Sequence, residues 1–145
     1  MATYFTLAEL LKSNTAKQNG IDNTPTFEVV RHLEELTEKI LDPLRAAWGK
    51  PIRVKSGYRC PRLNAAVGGS KTSVHMIGYA ADLQTSGSFS IFRDFTVAWF
   101  KSTYTKFDQL LLERDEKTGD QWIHIGLYNN AGQQRGIVKV MEVSR

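Results

Sequence analysis

The sequence predicts an α+β fold in which an antiparallel sheet packs against helices. Apolar residues follow a helical period from Pro25 to about Ala47, which indicates a long amphipathic helix. From residue 52 onward, short segments alternate apolar and polar residues, as strands do. Because these segments do not alternate with helices in a βαβ rhythm, we expect an antiparallel sheet. A chain of 145 residues can bury a core without disulfides, so we expect one domain over residues 1–145.

Other segments predict shorter helices and loops. The segment "FTLAELLKS" is amphipathic, with Thr6 as its N-cap, and "SIFRDFTVAWFKS" carries an aromatic face. The intervening "NTAKQNGIDNTPT" is rich in Asn, Thr, Gly and Pro and predicts a loop, and "CPRLNAAVGGSKTS" predicts a loop or short helix. Pro43 lies within the long helix and is expected to bend or split it.

Five segments have the composition or alternation of strands. They are "PIRVKSGYR", "GYAADLQ", "FDQLLLE", "WIHIGLY" and "GIVKVMEV". The third and fourth are joined by the polar "RDEKTGDQ", which predicts an antiparallel hairpin.

Composition and charge exclude several classes of protein. The net charge of +4 favours anionic partners, but the 19 Lys and Arg residues are scattered and form no dense basic tract, which argues against specific nucleic-acid binding. The chain has no apolar run of about 18 residues and therefore no expected membrane span. Its first residues lack a signal-peptide pattern, and the lone Cys60 suits a chain made in the reducing cytosol.

The three histidines have different settings. His32 lies among charged residues of the long helix and is expected at its surface or boundary. In "WIHIGLY" the two-residue period places Ile123 and Ile125 on the core face and His124 on the opposite face with Trp122, where a ligand of a cleft would lie.

The stretch "SVHMIGYAADLQ" places His75 and Asp82 seven positions apart. In one helix they would be separated by about 10 Å along the axis, whereas two ligands of one tetrahedral ion must bring their donor atoms within roughly 3.5 Å. A loop that turns at Gly78 into a strand meets this requirement. Two histidines and a carboxylate are typical of catalytic zinc, but spacing alone leaves open that Asp82 caps a turn and His75 is an ordinary buried polar residue.

A catalytic zinc site also requires a general base, and Glu113 is the best-placed candidate. If residue 113 lies opposite residue 124 in the hairpin, the turn is centred between Thr118 and Gly119 and the Glu113 carboxylate lies beside His124. The alternatives are that Glu113 merely ends a strand, or that Asp120 or Gln121 is the base.

Two residues near the first strand offer further chemistry. Arg59 follows a glycine turn, so it could bind a carboxylate or stabilise an oxyanion, or it could be an ordinary surface residue. A thiolate role for Cys60 with His75 lacks a supporting motif.

Taken together, "SGYRCPRLNAAVGGSKTSVHMIGYAADLQ" and "WIHIGL" resemble the zinc D-alanyl-D-alanine peptidases, whose pattern is S-x-H-x-x-G-x-A-x-D followed by a tryptophan-associated histidine. Similarity to the short, phage-associated branch extends over nearly the whole chain. The resemblance implies a hedgehog-like α+β fold with a zinc site in a cleft. It implies Zn²⁺ on His75, Asp82 and His124, with Arg59 steadying the scissile carbonyl and Ser73 positioning the substrate.

One position departs from this pattern. Better-known members carry the catalytic acid three residues before the last histidine, where this chain has Gln121, which cannot accept a proton from water. Resemblance to the short branch implies a glutamate at the end of the preceding strand, which favours Glu113 as the base.

The resemblance implies a zinc peptidase, either a D,D-carboxypeptidase or an endopeptidase such as a phage endolysin, that hydrolyses amide bonds in peptidoglycan stem or cross-link peptides. We expect a monomer that is made in the cytoplasm without a signal peptide and reaches the cell wall on release at lysis. The alternative is a non-catalytic zinc-binding module of the same fold, which recognises the cell wall or forms part of a phage.

Overall fold

The computed structural model describes residues 4–144. Its elements, in chain order, are α1 (Leu7–Leu11), α2 (Asn14–Gln18), α3 (Phe27–Leu36), a π-helical segment (Thr37–Leu41), α4 (Asp42–Trp48), β1 (Arg53–Ser56), α5 (Pro61–Ala66), a 3₁₀ helix (Val74–Ile77), β2 (Ala80–Gln84), α6 (Phe89–Thr103), β3 (Gln109–Asp115), β4 (Gln121–Gly126) and β5 (Ile137–Val143).

The N-terminal helices follow the sequence prediction, with one exception. Thr6 caps α1 in a capping box with Glu9, whose backbone N–H donates to the threonine hydroxyl at 3.2 Å. The long helix continues from α3 into α4 through the π-helical turn, and Pro43 lies in the first turn of α4, where its missing N–H is tolerated. The loop prediction for "NTAKQ" is wrong, because Ser13 caps the short helix α2.

The fold class is confirmed: one five-stranded sheet, with strand order β1-β2-β4-β3-β5, packs against helices. The first four strands pair antiparallel, as expected, while β5 pairs parallel to β3 and makes the sheet mixed. No helix within residues 4–144 has the length and hydropathy that crossing a bilayer requires.

The register predicted for the hairpin between β3 and β4 is wrong by two residues. Glu113 lies opposite Trp122, and His124 lies opposite Leu111. The backbone N–H of Asp115 donates to the carbonyl of Asp120 at 2.8 Å, which closes the hairpin one position earlier than expected. A shift of two residues preserves the alternation of faces, so Glu113 still shares a face with His124.

The two faces of the sheet differ in composition. Leu83, Leu110, Ile123 and Ile125 are fully buried on one face and pack in a core with the apolar sides of α3, α4 and α6. The opposite face carries the polar side chains of β2, β3 and β4, and it forms the floor of the candidate site.

Candidate metal centre and active site

Three buried side chains converge on the polar face of the sheet. His75 Nε2 lies 3.2 Å from Asp82 Oδ1, and His124 Nδ1 lies 2.9 Å from the same oxygen. One donor atom from each residue lies within 4.8 Å of the other two. All three residues are less than 10% exposed. The structure therefore brings together the three residues that the sequence singled out as ligands.

Strand pairing positions two of these residues. Asp82 lies directly opposite His124 in the antiparallel pair of β2 and β4. Directly opposed residues project from the same face, with Cβ atoms about 5 Å apart. Strand pairing alone therefore brings the carboxylate and the imidazole together.

His75 reaches the same point from outside the sheet. It lies in the 3₁₀ helix, which Ser73 caps by accepting a hydrogen bond from the His75 N–H at 3.2 Å. Gly78 ends this helix with a φ of 84°, a conformation that favours glycine, and a Cβ there would lie 2.8 Å from the Val29 carbonyl oxygen. The turn predicted at Gly78 is thus confirmed.

A backbone carbonyl fixes the tautomer of His75. The imidazole Nδ1 lies 2.7 Å from the Gly57 carbonyl oxygen, which can only accept, so Nδ1 carries the hydrogen. Burial lowers the pKa of His75, and the neutral ring then directs the Nε2 lone pair at Asp82. A histidine that donates its other N–H to a carbonyl is the usual arrangement at a metal.

Charge at the centre favours a bound cation. Burial would raise the pKa of Asp82, but the charge and hydrogen bond that His75 supplies when protonated, together with the hydrogen bond from His124, hold it well below its usual range, so Asp82 is a carboxylate at neutral pH. A carboxylate oxygen and an imidazole lone pair that face each other at 3.2 Å repel unless a cation lies between them. The two separations of 2.9 and 3.2 Å are close to the edge of a tetrahedron with ligand bonds of about 2 Å. The residues present therefore fit Zn²⁺, for which imidazole and carboxylate are ordinary ligands.

Arg59 lies beside this centre and is buried. Its Nη1 and Nη2 donate to Ser56 Oγ and Ser73 Oγ, each at 3.4 Å, and its backbone N–H donates to the His75 carbonyl at 3.1 Å. The alternative that Arg59 is an ordinary surface residue is therefore wrong, because only 4% of the residue is exposed. Ser73 both caps the helix that carries His75 and contacts the Arg59 guanidinium.

Glu113 is buried on the same face. Its Oε1 accepts a hydrogen bond from Trp122 Nε1 at 2.9 Å. It is the diagonal neighbour of His124 across the β3–β4 pair, a separation of about 7–8 Å between Cα atoms, and both residues line one cavity.

The rival bases lie elsewhere. Gln121 is exposed at the start of β4, and its position alternates with that of His124, so it belongs to the other face. Asp120 lies about 13 Å along the strand direction from His124, and its carboxylate contacts Lys55 at 3.0 Å and Gln84 at 2.9 Å.

Two cavities meet at this centre. One, of about 720 Å³, is lined by His75, His124 and Glu113; the other, of about 650 Å³, is lined by Asp82 and Trp122. Arg59 lines both. The three candidate ligands thus lie between two depressions, which together form a cleft that extends to both sides of the centre.

A polar cluster behind the site is not predictable from the sequence. Tyr79 donates to Glu35 Oε1 at 2.7 Å, and Tyr128 donates to Glu35 Oε2 at 3.3 Å. Lys39 forms an ion pair with the same carboxylate at 2.6 Å. The cluster links α3 to the segments that follow Gly78 and β4, and no sequence signal connects Glu35 to tyrosines 44 and 93 positions away.

The two remaining candidates have structural roles. His32 lies between the buried and exposed faces of α3, as expected. Its ring stacks on Tyr79, and its Nδ1 lies 2.6 Å from the Ile77 carbonyl oxygen. Cys60 caps α5, with its sulfur accepting from the Leu63 N–H at 3.4 Å.

Comparison with known proteins places this geometry in context. A family model described as peptidase M15 matches residues 3–125. The zinc D-Ala-D-Ala carboxypeptidase of Streptomyces albus G is 40% identical over 80 residues, which cover 54% of this chain and 30% of that protein. The alignment therefore spans less than a third of the relative's length.

Proposed function

The chain belongs to the peptidase M15 family, and we propose that it is a zinc metallopeptidase that hydrolyses amide bonds in peptidoglycan peptides. The observation that carries this proposal is the convergence of three buried candidate ligands and a buried glutamate in one cleft. The similar Streptomyces protein is a zinc D-Ala-D-Ala carboxypeptidase, which supports the choice of metal and substrate class.

His75, Asp82 and His124 would hold the metal. The cofactor is Zn²⁺, which supplies Lewis acidity by lowering the pKa of water towards 7 and polarising a carbonyl. The Gly57 carbonyl keeps His75 in the required tautomer, and the antiparallel pairing of Asp82 with His124 keeps their donor atoms together. The chain therefore contributes a preformed, buried donor set.

Glu113 is proposed as the general base. Its carboxylate accepts the proton of the attacking water and later passes it to the leaving amine. The hydrogen bond from Trp122 fixes the orientation of the carboxylate on the floor of the cleft.

Arg59 is proposed to stabilise the negative charge that develops on the scissile carbonyl oxygen. Its guanidinium is held by Ser56 and Ser73, so little reorganisation is needed when that charge appears. Ser73 positions Arg59 and the helix of His75, and its direct contact with substrate stays a prediction.

The cleft favours cleavage within a peptide. An endopeptidase must accommodate substrate on both sides of the scissile bond, and cavities lie on both sides of the candidate ligands. Cross-link or stem cleavage is thus our proposal over release of a terminal residue. The phage endolysin role, the monomeric state and release at lysis stay predictions.

The test is hydrolysis of purified sacculi by the zinc-loaded protein, read out as new amino termini and as fragment masses. Internal fragments that appear with wild type and not with Glu113→Gln support an endopeptidase, whereas free D-alanine alone indicates a carboxypeptidase. Stoichiometric zinc and binding to sacculi without hydrolysis would overturn the peptidase proposal in favour of a non-catalytic wall-binding module.

A further inference from the structure

Strand β5 contributes a lysine to the row of the sheet that contains the candidate ligands. Asp82 lies opposite His124, His124 lies opposite Leu111, and Leu111 lies opposite Lys139. These four residues form one row across β2, β4, β3 and β5. Because paired residues project from the same face, Lys139 shares the face of the metal centre.

The cavity lining agrees with this register. Lys139, Met141 and Val143 line the larger cavity with His124 and Glu113, while Val138 and Val140 alternate onto the other face. Two strand spacings separate Lys139 from His124, so their Cα atoms lie about 10 Å apart. A lysine side chain extends roughly 6 Å, and its ammonium can therefore reach a substrate group bound a few ångströms from the centre.

The other two Arg or Lys side chains that line this cavity are committed elsewhere. Arg135 binds both carboxylate oxygens of Asp108, at 2.8 and 2.9 Å, and Arg59, held by two serines, is the group proposed for the scissile carbonyl oxygen. Lys139 is exposed and forms no ion pair with any residue between 4 and 144. An anionic substrate group that enters the cavity therefore meets the Lys139 ammonium without displacing a carboxylate.

The surface between Lys139 and the centre is apolar. Leu111 separates Lys139 from His124 along the row, and Met141 follows on β5. This arrangement suits an aliphatic segment that ends in a negative charge. Moreover, β5 lies outside residues 3–125, which the family model matches, so Lys139 belongs to a part of the cleft wall that the family match does not cover.

We propose that Lys139 binds a free carboxylate of the peptide substrate and makes the protein select acidic peptides over their amidated forms. This inference rests on the proposed peptidase function. The negative charge concerned is a peptide carboxylate on the larger-cavity side of the scissile bond, within about 10 Å of the centre.

Two synthetic stem peptides that differ only in one carboxylate, free or amidated, provide the test. The zinc-loaded wild type is expected to cleave the free acid with about fivefold higher kcat/KM, the magnitude of a solvated ion pair, and the ratio should fall as salt is raised. Lys139→Met should bring the ratio close to one, and Lys139→Glu should invert it. Lys117→Met, in the exposed β3–β4 turn, is the matched control and should keep the wild-type ratio.

Two outcomes overturn the inference: a wild-type ratio near one, or a ratio that Lys139→Met leaves unchanged. Binding of both peptides to zinc-loaded Glu113→Gln, measured by calorimetry, gives a readout that does not need turnover. Tighter binding of the acid that depends on Lys139, without cleavage by wild type, would sink the proposed function and leave the carboxylate site standing.

Discussion

The two faces of the central sheet both bury the side chains at their centre, but the chemistry of these side chains differs. Ile123 on the core face is fully buried, and its neighbour His124 on the site face is only 8% exposed. Burial of Ile123 stabilises the fold through the hydrophobic effect, whereas burial of Asp82 and two imidazoles costs free energy unless a cation compensates it. We therefore expect stability to reside mainly on the core face and the proposed activity on the site face, so that substitutions can remove each separately.

The largest effect is expected from removal of a candidate metal ligand on the site face. Asp82→Ala should lose stoichiometric zinc and abolish hydrolysis, because both imidazoles lose their shared anionic partner. Zinc at a thousandfold excess over its Kd stabilises the wild type by about 4 kcal/mol, so a chelator should lower the Tm of wild type and leave that of Asp82→Ala unchanged. Metal analysis and thermal unfolding measure both effects. Asp22→Ala, at an exposed aspartate outside the cleft, is the control, and full zinc retention by Asp82→Ala would contradict the assignment.

Glu113→Gln should separate proton transfer from metal binding. We expect kcat to fall by about 10²–10⁴-fold, since an amide cannot accept the proton, while zinc content stays unchanged. The amide oxygen can still accept from Trp122, so the fold is preserved. Steady-state kinetics on a peptide substrate provide the measurement. Gln121→Ala should behave as wild type, and loss of activity in that variant alone would contradict the assignment of Glu113 as the base.

Ile123→Ala should produce the opposite pattern. Deletion of this fully buried side chain on the core face is expected to lower the free energy of unfolding by about 2–5 kcal/mol. Zinc stoichiometry should be retained below the unfolding transition. Denaturant titration measures the loss, and Ile91→Ala, at a position 62% exposed, should change stability by less than about 0.5 kcal/mol. If Ile123→Ala loses zinc while still folded, the two faces are not separable.

The smallest effect is expected for the ion pair between Arg135 and Asp108 in the cleft wall, whose contribution to stability depends on pH. The hydrogen bond from Arg135 lowers the pKa of Asp108. A depressed folded-state pKa stabilises the protein above the unfolded value of about 3.9, and this stabilisation is lost as pH falls through the folded pKa. Because Arg135 is half-exposed, solvent screens the pair and we expect the contribution to be small. Arg135→Gln should be less stable than wild type at pH 7, and the difference should shrink below about pH 4 in denaturant titrations. Arg93→Gln, at an exposed pair, is the control; a difference that does not change with pH would contradict this origin.

Local patterns in the sequence predicted most of the elements and the faces of the strands. Alternation in "WIHIGLY" assigned Ile123 to the core and His124 to the opposite face, and that assignment depends only on the geometry of a strand. Gly78 was identifiable because the spacing of His75 and Asp82 requires a turn between them. These features follow from residues that are close in sequence.

Features that depend on distant partners were not predictable. The hairpin register was wrong because the glycine at position 119 suits more than one turn, and the backbone hydrogen bond between residues 115 and 120 decides among them. The parallel pairing of β5 with β3 depends on a connection that passes through the intervening β4 and a loop. The contacts of Glu35 and the position of Lys139 beside the cleft depend on residues that are distant in sequence, so no local pattern predicts them.

The separation of the candidate ligands along the chain has a kinetic consequence. His124 contacts Asp82 across 42 positions, and His75 is held by Gly57 across 18, so the centre consists of contacts of high contact order. Closing such loops costs entropy that only the packed sheet recovers, and the centre therefore assembles late in folding. The donor atoms of Asp82 and His124 therefore come together only when β2 and β4 pair. High-affinity metal binding should accordingly appear together with the packed sheet during refolding and not before it.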